Sequence, residues 1–227
     1  MAEYIFNIFA FALPVIFSIT AHEASHGLIA YWFGDDTAYR LNRITLNPLR
    51  HIDIFGTIIL PIILFLAGGI IFGFAKPVPV NFYKLYPYRF GTIMVALAGP
   101  LTNIILAILS GFLINAAPFF PSNFAIWWIN MLTLSIQLNY ILALFNMIPL
   151  LPLDGGRVLF ALLPWSLNKI RFFFEKWGIA LLLCVVFLIP FVASKMGYDI
   201  RPLAWILERP VGSLYDHTLN ITVFNKE

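Results

Sequence analysis

Residues 19–33 read ITAHEASHGLIAYWF, and the reading of this stretch decides the fold. It sits in an apolar run from about Ile5 to Phe33 whose interior holds His22, Glu23 and His26. Ionisable side chains are expensive in a lipid-embedded helix and usually carry function there. Residues four apart share a helix face, so His22 and His26 aim two imidazoles at one point, with Glu23 beside them. H-E-x-x-H is the spacing of zinc hydrolases: two ligands and a carboxylate that serves a bound water. The bland alternative is a chance match, with both histidines capping neighbouring polar groups. Three ionisable groups in one turn of an apolar helix, in a chain with only 4 histidines, favour metal.

The rest of the 227-residue chain agrees with a lipid setting: 61% of its residues are hydrophobic and 11% charged. A soluble domain is nearer a quarter charged. The same composition excludes a disordered chain, a disulfide scaffold and a nucleic-acid module, so no nucleic-acid partner is expected. Cys184 is the 1 cysteine and forms no internal disulfide. The start, MAEYIFNIFAFALPVIF, lacks a basic n-region and a small-residue cleavage site, and reads as a retained first span.

Since about 20 apolar residues cross the hydrocarbon, further spans are expected at Phe90 to Ala117, Phe124 to Leu151 and Trp177 to Ala193, with one more apolar segment from Gly56 to Phe74. Between that segment and the next lies AKPVPVNFYKLYPYR (75–89), where proline disfavours helix at and before its own position. Ala75 to Tyr83 should therefore be extended. The fold expected is an all-α polytopic membrane protein of about four to five transmembrane helices, with a re-entrant segment and a short extended or β-hairpin element. One domain covers 1–194, and 195–227 is a polar tail, surface-lying or partly disordered.

A catalytic zinc needs a third protein ligand and an open position for water. The candidates are Asp154 in IPLLPLDGGRV (148–158), His51 and Asp53 in NPLRHIDIFGT (47–57), and His217 in the tail. Asp154 is the strongest, because Pro149 and Pro152 open the helix and Gly155 and Gly156 let backbone come close. Its competing role is to cap the helix that starts near Gly155. His51 reads as an interfacial loop histidine, with support of a ligand as its minor alternative.

HEASH, then AGPLTN (98–103), then N-x-x-P-x-x-P-x-D-G-G (146–156) resemble, in order, the motifs of the site-2 protease family of intramembrane zinc metalloproteases. The resemblance covers roughly 5–160. It implies that His22, His26 and Asp154 hold one zinc per chain, that Glu23 is the catalytic base, and that Asn146 stands near the scissile carbonyl. It also implies that GFAKPVPVN (73–81) is an edge element holding substrate through Gly73, Val78, Val80 and Asn81. The substrate implied is a single-span membrane protein in the lipid bilayer. The chain is similar to the compact subgroup without PDZ or nucleotide-binding additions, and a bacterial inner membrane is the expected setting. Ile54 stands where that subgroup leads one to expect proline.

Topology adds a constraint. HEASH lies near the C-terminal end of its span and Asp154 follows the C-terminal end of its own, so both ends must share a leaflet. One segment therefore does not cross, and Gly56 to Phe74, broken by Pro61, Gly68 and Gly69, is expected to re-enter. Ten of the 14 basic residues then lie on one face, which makes that face, and the metal, cytoplasmic. Two other classes stay open. One is a different membrane zinc peptidase, such as one trimming prenylated C-termini. The other is an inactive or metal-binding protein acting as a binder or transporter, which would tolerate loss of Glu23. Polar residues at depth, Asn103, Gln137, Asn139 and Asn146, either line a water path or bond helix to helix, the latter favoured for Gln137 and Asn139.

Overall fold

The computed structural model describes residues 2–53, 56, 59, 63 and 76–224. Helix α1 (Ala2–Trp32) is followed by a single turn, α2 (Thr37–Arg40), and, after the extended residues 76–81, by a 3-10 turn at Phe82–Lys84. Then come α3 (Tyr88–Ile114), α4 (Ser122–Asn146), α5 (Asp154–Leu162) and α6 (Asn168–Leu183), which runs through a π-helical stretch, Cys184–Leu188, into α7 (Ile189–Lys195). The last helix is α8 (Pro202–Thr222).

Among the described residues three helices are long and apolar enough to cross a membrane: Tyr88–Ile114, Ser122–Asn146 and Lys169–Lys195. No strand and no β-hairpin is formed among them; of the stretch expected to be extended, Ala75 to Tyr83, residues 76–81 are non-helical, but Phe82 and Tyr83 enter the 3-10 turn, which Asn81 caps by accepting the Tyr83 N–H. The expected re-entrant segment 56–74 lies outside the described residues apart from 56, 59 and 63, and Gly73 lies outside them too.

Helices α1, α3 and α4 pack together and carry the core. Near one end, Ala30, Leu85 and Val95 are buried with Phe33, Val80 and Phe82 against them. Further along, Ala107, Ile136, Tyr140 and Val211 form a second cluster. Small residues on α3 let backbones approach, as membrane helices require where apolar burial gives no preference for protein over lipid. A Cβ at Gly111, for instance, would collide with Thr222.

That contact marks a correction. The tail was expected to be surface-lying or partly disordered, yet 202–222 is helical and docks on α3 and α4. Leu207, Val211, Leu214, Tyr215 and Leu219 recur three and four apart and form one apolar stripe. Glu208, Arg209, Asp216 and His217 dilute the stripe in composition without breaking it. Polar bonds complete the seam: Tyr140 Oη pairs with Thr218 Oγ1 at 2.5 Å, and Asn115 Nδ2 donates to the Thr222 carbonyl at 2.6 Å.

The C-terminal end of α1 anchors the extended segment. Gly34 adopts φ +99°, a left-handed conformation that costs glycine little. The Gly34 N–H donates to the Tyr31 carbonyl at 3.1 Å and the Asp35 N–H to the Ala30 carbonyl at 2.9 Å, a Schellman stop. The reversal buries Asp35 completely, and its carboxylate accepts the Asn81 N–H at 2.6 Å. Residues 76–81 are thereby tied to the helix that carries HEASH.

Candidate metal centre

His22 and His26 lie one turn apart on α1, and their Nε2 atoms are 3.1 Å from each other. Asp154, the first residue of α5, brings Oδ2 to 3.3 Å from His22 Nε2 and 3.4 Å from His26 Nε2. A tetrahedral zinc with ligand distances of about 2.0–2.1 Å needs its ligand atoms about 3.3 Å apart. The triangle fits that ion. Asp154 Oδ2 is buried and receives no hydrogen bond, as a ligand atom reserved for a cation would be. Among the described residues this is the one group of three potential metal ligands; His51, Asp53 and His217 do not join it.

The other ring nitrogens are spoken for. His22 Nδ1 donates to Asn103 Oδ1 at 2.6 Å, and His26 Nδ1 donates to the Val95 carbonyl at 2.7 Å. Both partners belong to α3. Such outer bonds orient a ligand ring and leave Nε2 free for metal. Gly99 makes the approach possible, since a Cβ there would strike both imidazoles.

Asp154 reaches the site because the chain after α4 folds back tightly. Cβ atoms at Gly155 and Gly156 would overlap the backbone of Met147, Ile148, Leu150 and Leu151. The N-cap of α5 is Leu153 and no side chain caps the helix, so Asp154 is not a capping residue.

A cavity of about 340 Å³ opens onto these groups and is also lined by Glu23, Val78, Val80, Phe82, Asn146 and Arg157. Glu23 Oε2 accepts the backbone N–H of Val78 at 2.7 Å. Asn146 donates from Nδ2 to the Leu142 carbonyl of its own helix at 3.0 Å. Asn81 is engaged elsewhere, its side chain accepting the Tyr83 N–H at 3.2 Å and its N–H bound to Asp35. The extended segment is held at its start as well: Arg43 donates to the Lys76 carbonyl at 2.7 Å, and the Lys76 N–H donates to the His51 carbonyl at 2.9 Å. His51 itself is a buried loop residue whose Nε2 donates to the Thr45 carbonyl at 3.0 Å.

Arg157 and Phe82 belong to the cavity and were not singled out from the sequence. The guanidinium of Arg157 lies 4.5 Å from the centre of the Phe82 ring. For Arg157 a signal existed: it follows Asp154 by three residues, on the same face of α5.

The family model for "Peptidase family M50" matches residues 113–189, a stretch that holds Asp154 but not HEASH. The chain is 37% identical over 203 residues to the Bacillus subtilis protein named "Putative zinc metalloprotease YwhC", covering 84% of each. It is 29% identical over 186 residues to Rip2 of Mycolicibacterium smegmatis, named in the same terms, covering 82% of this chain and 68% of that one. A third relative, MJ0611 of Methanocaldococcus jannaschii, is 39% identical over 92 residues, 40% of this chain and 46% of its own. No solved structure matches the chain.

Proposed function

This chain belongs to peptidase family M50, the site-2 protease family, and from that premise we propose that it hydrolyses a peptide bond within or beside the transmembrane segment of a single-span membrane protein. The observation that carries the reading is the near-equilateral triangle of His22 Nε2, His26 Nε2 and Asp154 Oδ2, with Glu23 on the adjoining wall of the cavity. One zinc per chain, held by those three atoms, would polarise the scissile carbonyl and acidify a water. Glu23 takes the proton of the attacking water and returns it to the leaving amine. Asn146, one helix end away, offers an amide to the oxyanion.

The extended segment receives the substrate. Extended backbone turns alternate residues to opposite edges, so Val78 and Val80 share one edge, while Pro77 and Pro79 on the other have no N–H to offer. A helical substrate must unwind to expose a peptide bond, and its freed strand pairs with the Val78 edge by β-augmentation. The Val78 N–H is already bound to Glu23, so a guest that takes this donor releases the base in the same step. Asn81 anchors the C-terminal end of the region through its N–H on Asp35.

Helix α1 is a fourth span, since 31 residues make about 46 Å against a hydrocarbon core of about 30 Å. His22, His26 and Asp154, which would hold the metal, lie towards the cytoplasmic side of a bacterial inner membrane, where the basic residues on both flanks of the site gather. The test is a pair of variants assayed on a membrane-embedded substrate. Glu23→Gln should abolish cleavage while zinc stays bound, because an amide accepts no proton. Asp154→Ala should lose both. Wild-type cleavage by Glu23→Gln would end the protease reading.

A further inference from the structure

We propose that Asn139, which touches neither metal nor substrate, is a positioning residue that fixes Asn103 in the single amide orientation in which His22 can ligate metal. The inference rests on the proposed reading of His22 as a ligand through Nε2.

An imidazole that gives Nε2 to a metal must carry its proton on Nδ1, which then donates. Its partner must therefore be an acceptor. Asn103 Oδ1 meets His22 Nδ1 at 2.6 Å, but an asparagine amide is nearly symmetric in shape and could present its NH₂ instead. In that orientation His22 Nδ1 would have to accept, the ring proton would move to Nε2, and the lone pair needed by the metal would be gone. Something must distinguish the two orientations. Asn103 and Asn139 are both 0% exposed, so bulk solvent does not make the choice.

A chain of hydrogen bonds across α3 and α4 makes the distinction. Asn103 Nδ2 donates to Asn139 Oδ1 at 2.8 Å, with a long contact of 3.5 Å to the Ser18 carbonyl. Asn139 Nδ2 donates to the Ser135 carbonyl at 2.9 Å and reaches Ser135 Oγ at 3.3 Å. Ser135 Oγ pairs with Ser110 Oγ at 2.8 Å, and Ser110 Oγ donates to the Leu106 carbonyl at 2.8 Å. A backbone carbonyl can only accept. The Ser135 carbonyl thus forces Asn139 to turn its NH₂ away from Asn103 and its oxygen towards it. That oxygen forces the Asn103 NH₂ to face Asn139, which leaves Oδ1 for His22. The Leu106 carbonyl imposes the same polarity from the far end.

The test is a double-mutant cycle on zinc affinity, read by chelator competition with the purified full chain. Outer-shell partners of a ligand are typically worth 10–100-fold in metal affinity, so Asn139→Leu should weaken zinc binding by about that factor. The same substitution in the N103L background should change it less than about 3-fold, because no amide is left there for Asn139 to orient. Asn139→Ala, which removes the acceptor without adding bulk, is read in the same two backgrounds in case the leucine variant does not fold. An equal loss in both backgrounds would assign Asn139 to packing and overturn the proposal, as would no loss in either. His22→Ala separates this from the reading beneath it: zinc affinity unchanged in that variant would remove His22 from the metal site altogether.

Discussion

Helix α3 and the continuous helix through α6 and α7 are equally suited to lipid by composition, with mean hydropathies of 2.1 and 2.5, yet 44% of the apolar window of one and 11% of the other is buried in protein. Hydropathy reports which solvent a helix prefers; it is silent on its neighbours. The information lies in what interrupts the apolar run. On α3 the interruptions are small or polar and fall on one face: Gly91, Thr92, Ala96, Gly99, Asn103, Ala107, Ser110 and Gly111 are all buried. Through this face α3 supplies the carbonyl and the amide that orient both histidines. The outer helix instead exposes Phe172, Ile179, Leu183 and Phe191, and a lipid-facing surface needs nothing more specific than that.

Substitutions can break this contrast or sharpen it. The largest effect is expected at Gly99, where a methyl group has no room beside the imidazoles. Gly99→Ala should lower zinc affinity by at least about 10-fold, the lower bound for disturbing groups that orient a ligand, and chelator competition reads it; unchanged affinity would mean that α3 does not seat the ligands. Next is Val78→Pro, which deletes the N–H that Glu23 accepts and leaves the ligands alone. Cleavage should fall by up to about 10-fold, as for loss of one hydrogen bond to the guest strand, with zinc content and thermal stability near wild type; unchanged cleavage would make 76–81 a mere connector. Tyr140→Phe should cost about 1 kcal/mol by removing its bond to Thr218, and a smaller effect in reversible unfolding would weaken the case that α8 is part of the core. Smallest is Ile179→Ala on the outer helix, expected within about 0.5 kcal/mol as for exposed positions generally.

Much of the site was legible because ionisable groups inside apolar runs have few reasons to be there. His22, Glu23 and His26 announced themselves by spacing, and Asp154 by its setting among prolines and glycines. The demand that HEASH and Asp154 share one leaflet is met by their convergence on one point. Asn139 was read as a helix-to-helix bond, and it makes one, but its partner is 36 residues away and no local pattern shows what that partner holds. The hydrogen bond from Val78 to Glu23 spans 55 residues and depends on how residues 76–81 run past α1, which the alternation along that stretch does not reveal. The docking of α8 was missed for the opposite reason: its stripe is periodic, but four charged or titratable residues made the stretch look like a tail.

The Schellman stop at Gly34 has a mechanical consequence. It returns the chain so that Asp35, at the end of α1, holds the Asn81 end of the extended segment, while Glu23 on the same helix holds its middle. His22, His26, Glu23 and the extended segment therefore ride on a single rod. Helices in bilayers of unequal thickness respond by tilting, and a tilt of α1 would carry all four along without altering their mutual distances. Asp154 rides on a different element, α5, which follows a turn whose Leu151 carbonyl occupies the space a Cβ on Gly178 would need. Displacement of α5 against α1 would therefore be read directly in the two separations, 3.3 Å and 3.4 Å, between that carboxylate and the histidines.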